Sequence, residues 1–452
     1  MAPPIETLVL FGASGSHTHE RVLPAVASLL RAAPERTLSV IGVGRDERSD
    51  AQWRDEIRHT LDAAGATRAL VRRATSEAHW LTADPAQLDE LAGVLGQLPP
   101  HSALHLGLPA DVTARVVGHL RELGVPSGTV LGFPAPFGTN LRTARALNRQ
   151  LHGFLPESRV HRIDSRLGQG TVRHLLSLRF ANRLLAGIWD STNISRVEII
   201  DERAIPADPG ARFDRTGALL DGVHGHLMQL LGLVAMEPPA SLDADTIHTG
   251  IGQVLRATSL AGDAATASRR ARYIGGSIGD TAVPAYASGH TVDALRDTET
   301  LAQLTLSVDT WRWSGVPFVL RSGFALGRTR HEIVLTLRDV PQLPRGFSAA
   351  KTPPQIRIGI GPDALSIDLL LSGGSDSVQI STVPLSTTFP AGESADGEVM
   401  NALLGGDTTL SRRADAVEES WRILAPVLAA WQRGDVPLGQ YRAGGTGPSA
   451  WR

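Results

Sequence analysis

The chain has 452 residues, enough for two domains with a core each. Its hydrophobic content of 42% and charged content of 20% are those of an ordinary globular protein. A formal charge of −2 gives no electrostatic reason to expect nucleic acid or an anionic membrane as partner, and the lack of cysteine excludes disulfides, thiolate metal sites and a cysteine nucleophile.

The absence of thiols fits a cytoplasmic location. No apolar run is expected to reach the roughly 18–20 residues of a membrane helix, and "MAPPIETLVLFG" lacks the basic start of a signal peptide. Lys351 is the single lysine; arginine supplies the remaining positive charge. A bias of that kind converts a dispensable lysine into arginine.

The first third alternates short apolar runs with helical patterns. "TLVLFGASG" (7–15) reads as a buried strand entering a glycine turn, and "ERVLPAVASLLRAA" (20–33) as the helix after it. "TLSVIGVGR" (37–45) is a second strand, followed by helical "DAQWRDEIRHTLDAAG"; "SALHLGLP" (102–109) and "TVLGFP" (129–134) are further strands. This alternation predicts a parallel sheet with helices on both faces. After Asp164 the texture changes. "TVRHLLSLRFANRLLAGIWD" predicts one long amphipathic helix, "ISRVEIIDE" a strand, and "TGALLDGVHGHLMQLLGLVAMEPP" a helix stopped by Pro238 and Pro239. "VPFVLRSG", "HEIVLTLRDV", "QIRIGIG" and "ALSIDLLLSGG" are separated by turn residues, which predicts a mainly antiparallel sheet. "DAVEESWRILAPVLAAW" closes the chain as a helix, and the tail "RAGGTGPSAWR" is expected to be loose.

"GASG" lies where a strand gives way to a helix, so Gly12, Ser14 and Gly15 can meet a dinucleotide pyrophosphate at the helix end; a plain tight turn satisfies the same spacing. Pro109, after the "SALHLGL" strand, is a further cofactor-binding candidate. Arg45 ends the second strand, where an arginine suits the 2′-phosphate of NADP and an acid would suit NAD. A solvated surface arginine is the bland alternative, and Asp46 and Glu47 follow directly.

Several segments together resemble the glucose-6-phosphate dehydrogenase family: "LVLFGASG…RVLPAV", "PFGTNLRTARALNRQL", "RIDSRLGQGTVRHLLSLRFANRLLAGIW", "GALLDGVHGHLMQLLGLVAMEPP" and "DTWRWSGVPFVLRSG". The resemblance runs in order through nearly the whole chain. It implies a Rossmann domain over 1–163 and an α+β domain with a large, mainly antiparallel sheet over 164–452. It also implies NADP in preference to NAD, oxidation of a sugar at C1, and a homo-oligomer, dimer or tetramer. By the same resemblance His226 is the base and Asp164 the acid that orients it, while Glu202 and Asp221 contact sugar hydroxyls. The phosphate end departs from the pattern. Ser165, Arg166 and Gln169 stand where relatives hold histidine, tyrosine and lysine, and Ala135 and Phe324 replace two more lysines. None of the three lost lysines has become arginine, so codon drift does not explain them. Arg166, with Arg328 and Arg330 nearby in sequence, is the candidate to rebuild an anion site.

Two functions follow. One is an NADP-dependent oxidoreductase acting on an aldose or modified sugar other than glucose 6-phosphate. The other is a non-catalytic relative that binds a sugar, a nucleotide or a partner chain. A lone helical histidine is more often structural than catalytic. His224 and His226, two apart, face different ways and make no shared metal site. "SHTHE" (16–20) reads as a polar loop without a metal, and Trp311 and Trp313 as core or interface aromatics.

Overall fold

The computed structural model describes residues 5–207, 211–345, 347, 352–372, 380–389 and 394–451. The chain forms two compact units, one of residues 1–169, 240–248 and 392–418, the other of 170–239, 249–391 and 419–452.

The first unit is built on β1 (Thr7–Phe11), β2 (Ser39–Gly44), β3 (His79–Thr82), β4 (Ser102–Leu106), β5 (Val130–Pro134) and β6 (Val160–Ile163). All pair in parallel, in the order β3-β2-β1-β4-β5-β6. This is the doubly wound arrangement, whose order reverses between β1 and β4. β1 is buried along its whole length, as a central parallel strand covered on both faces must be. β3 and β6 are short and half polar, and the hydrophobic pattern did not reveal them. Residues 392–418, which the sequence reading gave to the second domain, lie here for a packing reason. Helix Ala395–Gly405 inserts Met400, Leu403 and Leu404 into the core formed with Leu29, Leu30 and Val130.

The second unit holds β7 (Ile194–Glu202), β8 (Thr258–Leu260), β9 (Ser268–Ile274), β10 (Gly276–Ile278), β11 (Thr281–Val283), β12 (Leu301–Val308), β13 (Pro317–Gly323), β14 (Arg330–Leu337), β15 (Gln355–Ile360), β16 (Asp363–Ser372), β17 (Ile380–Thr388) and β18 (Leu438–Arg442). Ten of them form one sheet, ordered β17-β16-β15-β14-β7-β13-β12-β9-β18 with β8 beside β12, and β10 and β11 pair separately. The large sheet is antiparallel except at β7–β13 and β9–β18.

Four local expectations are corrected. The long helix expected over 171–190 breaks: Asn182 is extended (φ −113°, ψ 108°) between helices Gly170–Phe180 and Arg183–Ala186. Arg179, just before the break, is buried and donates to the Leu233 and Met236 carbonyls, with Met236 O at 2.6 Å. The tail is not loose. Its Thr446 carbonyl accepts from Arg321 at 3.0 Å, Gly327 N donates to Gly445 O at 2.7 Å, and Arg321 lies over the Trp451 ring. Residues 16–22 are helical rather than a loop. The expectation of core or interface aromatics is not among the four: Trp313 is buried and donates to Ala235 O at 2.9 Å, and Trp311 is 97% exposed and so is not a core residue. The helical run Phe213–Ala235 is long and apolar enough to cross a membrane, against the sequence expectation, but it is mostly buried inside the protein, as a core helix is.

Candidate functional site

The nucleotide turn lies at the switch point of the parallel sheet. Gly12 leaves β1 with φ +76°, and a Cβ there would fall 2.6 Å from the Gly107 carbonyl oxygen. Only glycine suits both the dihedral and the approach. Gly12 and Ala13 donate to Val43 O, both at 3.1 Å, and the Thr18 hydroxyl returns to Gly12 O at 3.1 Å. The turn is therefore fixed to β2 and to the helix it opens. Gly15 N donates back to Gly12 O at 3.0 Å; Ser16 is exposed at that helix start and Ser14 is half-buried, where the helix end favours an anion. Pro109 sits across the switch point, as the N-cap residue of helix Ala110–Leu123. Arg45 is exposed directly after β2. A dinucleotide fits these features: a bare cradle at Gly12, an open helix start and a cation at the second strand tip. Arg48, which the sequence reading did not single out, bonds Glu56 and stacks over Trp80 at 5.0 Å, leaving Arg45 as the exposed arginine there. Beneath the turn His105 is buried beside His17, with ring centroids 5.8 Å apart. Burial first, and the His17 charge second, push its ring down to about 3, so it is neutral.

Asp164 and the altered phosphate segment belong to the same unit. The Asp164 carboxylate is buried and accepts from Arg166 N at 3.2 Å, capping the short turn Ser165–Gly168. Its charge also acts on the buried Arg412, whose guanidinium burial lowers to about 10. Arg162 is locked to Glu157 at 2.6 Å and Asn148 at 2.7 Å. Ser165, Arg166 and Gln169 are half-buried. A Cβ on Gly168 would collide with the Ala395 carbonyl, so the start of helix Ala395–Gly405 sets where this segment lies.

Glu202, Asp221 and His226 belong to the second unit. Glu202 ends β7, buried, and its two oxygens hold Arg321 and Arg330, the latter at 3.4 Å. Asp221 and His226 lie on Leu219–Leu227, a π-helical stretch that continues as the α-helix Met228–Ala235. Wider turns of this kind are rare and are frequently found at functional sites. The stretch and its continuation are held at both ends. Its start meets Glu299, and at Gly222 it approaches β13 so closely that a Cβ would collide with Ser322 Oγ. The far end of the α-helix that continues it is held by Trp189 and Trp313, donating to Val234 O and Ala235 O at 2.9 Å each. His226 is buried at 3% exposure. His224 packs on Trp421, centroids 4.1 Å apart, and is a core residue. Glycines inside a helical pattern were the available signal for this close packing; Glu299 had none, because nothing local marks an acid just before a strand.

The two other arginine candidates differ. Arg330 is committed to Glu332 at 2.8 Å and to Glu202. Arg328 is exposed on an open hollow of about 440 Å³ that Arg330, His331, Glu332 and Arg357 also line. Phe324 is a core residue: it meets Phe213 edge-on at 5.0 Å, and Arg203 lies over its ring at 4.9 Å. Among the described residues no three of His, Asp and Glu gather as a metal site.

A doubly wound parallel sheet with a glycine turn at its switch point, followed by a large mixed sheet, defines a dinucleotide-binding fold of two units. Residues 9–174 match the glucose-6-phosphate dehydrogenase NAD binding domain, and residues 176–452 match the C-terminal domain of the same enzyme. The chain is similar to glucose-6-phosphate 1-dehydrogenase of Treponema pallidum, 32% identical over 100% of this chain and 93% of the relative. It is also 32% identical to that of Gluconobacter oxydans, over 97% and 94%. A crystal structure of glucose-6-phosphate 1-dehydrogenase from Mycobacterium avium superposes with a TM-score of 0.87 at 31% identity, covering 99% of this chain and 96% of that one. The chain belongs to the glucose-6-phosphate dehydrogenase family.

Proposed function

We propose that this chain is an NADP-dependent dehydrogenase that oxidises C1 of an aldose to the lactone and uses glucose 6-phosphate poorly. The observation that carries the reading is the clamped π-helical stretch, which keeps Asp221 and His226 in one anchored segment while the phosphate residues are replaced. Gly12, Ser14 and Gly15 receive the pyrophosphate and Arg45 the 2′-phosphate, with Pro109 lying against the cofactor. When bound, the nicotinamide accepts the hydride that leaves C1. His226 takes the O1 proton as the C1–O1 double bond forms, with Asp164 assigned to its orientation and Asp221 and Glu202 to sugar hydroxyls. Ser165, Arg166 and Gln169 receive the far end of the sugar.

Serine and glutamine bond neutral groups and bring no charge. A charge-assisted hydrogen bond contributes about 1.5–3 kcal/mol, so losing two or three weakens phosphate binding by several powers of ten. Phe324 lies in an aromatic core and Arg330 is bound by two glutamates, so neither offers a cation in return. The test is a steady-state assay of glucose 6-phosphate, glucose and a panel of aldoses, each with NADP and NAD. Turnover of an aldose abolished by His226→Asn supports the reading. Turnover of glucose 6-phosphate at rates normal for the family overturns the substrate part. Ala135, a methyl group where relatives carry a cation, favours a second reading as a non-catalytic sugar- or nucleotide-binding relative. NADP binding without turnover of any aldose decides for it.

A further inference from the structure

We propose that Glu299 is a positioning residue for the reaction, anchoring the start of the helical stretch that carries Asp221 and His226; this rests on the functional reading above.

The geometry around Glu299 is specific. At Gly217 the chain leaves helical geometry (φ 58°, ψ −178°) and re-enters it at Ala218. The first two backbone N–H groups of the new stretch both meet Glu299. Ala218 N donates to its main-chain carbonyl at 3.1 Å, and Leu219 N to its Oε1 at 2.9 Å. The carboxyl sits over the bare Cα of Gly217, where any Cβ would collide with it. The segment carrying Glu299 is tied down beside it: Thr298 Oγ1 donates to Asp214 O at 2.6 Å and Thr300 N to Ala271 O at 2.9 Å. Three residues after Leu219, Gly222 is pressed against Ser322. Asp221 therefore lies between two fixed points, and His226 follows one wide turn beyond the second. A side chain that sets the start of this stretch sets the position of both.

Glu299 is 7% exposed, and burial pushes its carboxyl up to about 7. The charged group facing it is Arg270 of β9, and Tyr286 is the titratable group that feels it. Around these, Asp297 acts on Arg270, Tyr273 acts on Tyr286, and Asp214 holds the Tyr286 hydroxyl at 3.2 Å and Arg296 at 3.4 Å. A carboxylate is a stronger acceptor than a carboxylic acid and suits a helix start. The anchor is thus weaker below neutrality and stronger above it.

The test uses full-length Glu299→Gln and Glu299→Ala with the best aldose and NADP. Glu299→Gln keeps an acceptor for Leu219 N and removes the titration. It should keep kcat within about threefold at pH 7.5 and lose an ionisation near neutrality from the pH profile of kcat/KM. Glu299→Ala should lower kcat/KM for the aldose on the order of 10–100-fold, with the KM for NADP unchanged. Hydrogen exchange of residues 219–227, which needs no turnover, should speed up at least tenfold in Glu299→Ala and little in Glu299→Gln. Wild-type kcat/KM or unchanged exchange in Glu299→Ala overturns the proposal, as does a Glu299→Gln pH profile identical to wild type. If the wild-type chain oxidises no aldose, the functional reading fails and the catalytic role of Glu299 falls with it, while exchange still decides the anchor.

Discussion

Replacing Phe324 with lysine restores the family residue at that position, yet the structure predicts damage rather than rescue. Phe324 is 7% exposed and meets Phe213 edge-on, and the Arg203 guanidinium lies over its face. Truncating a buried phenylalanine costs about 3–5 kcal/mol. Lysine methylenes that stay buried return about 0.8 kcal/mol each. The truncation cost already contains the edge-to-face contact with Phe213; beyond it, the new ammonium is largely buried and must share its surroundings with Arg203. The balance for Phe324→Lys is about 3 kcal/mol of destabilisation, roughly a hundredfold in the folded-to-unfolded ratio. Phe324→Leu, which keeps apolar volume, should lose about 1 kcal/mol. Urea unfolding at pH 7.5 measures both, and the glucose 6-phosphate assay runs on the same preparations. Phe324→Lys within about 0.5 kcal/mol of wild type, together with a gain in glucose 6-phosphate turnover, would refute the assignment of Phe324 to the core.

Arg45→Ala should weaken NADP about 10–100-fold by calorimetry and leave NAD nearly unchanged, because the only loss is a charge-assisted contact to the 2′-phosphate; equal effects on both nucleotides would show that Arg45 is a bystander. Gly12→Ala should weaken both nucleotides and lower the melting temperature, since an L-residue at φ +76° is strained and its Cβ meets the Gly107 carbonyl; the strain alone is on the order of 1–2 kcal/mol. Burial lowers His161 to about 4 and His105 to about 3, from an ordinary value of 6.5. An unfolded chain takes up these protons near pH 6.5 and the folded chain does not. Their contribution is therefore complete above about pH 6.5 and falls by about 1.4 kcal/mol per pH unit per histidine as the pH drops towards 4. His161→Gln should flatten the fall in urea midpoint between pH 7 and pH 5, and an unchanged slope would count against the burial argument.

Long apolar patterns were the readable part of this chain. β1, β2, β4, β5, β7 and β13–β16 all lie where alternation or a continuous apolar run placed them, because such strands are recruited by their own hydrophobicity. β3, β6, β8–β12, β17 and β18 were missed; "HWLT" and "LGQYR", for example, are short and mixed, and become strands because a neighbour offers a free edge. The helix over 171–190 was continuous in pattern and broken in fact, because the bonds that pin Arg179 come from a helix end more than fifty residues away. At the candidate site, motif and resemblance singled out the glycine turn, Arg45, Asp164, Asp221 and His226 as candidates. The carboxyl of Glu299, the Ser322 contact with Gly222 and the two arginines on Glu202 were not.

The amino-acid order alone determined the two-part architecture, the dinucleotide turn, the family likeness and the loss of cations at 135, 169 and 324, since each is written in residue type and spacing. Tertiary structure alone decided what those losses became. At 324 an aromatic ring closes a core with Phe213, Tyr273, Tyr286 and Tyr441 rather than facing a ligand. At 330 the arginine is spent on two glutamates, one brought beside it by the pairing of β14 with β7. The physical reason is range. Periodicity and turn chemistry act over a few residues, whereas burial, ion pairing and helix anchoring depend on which distant strands a sheet sets side by side.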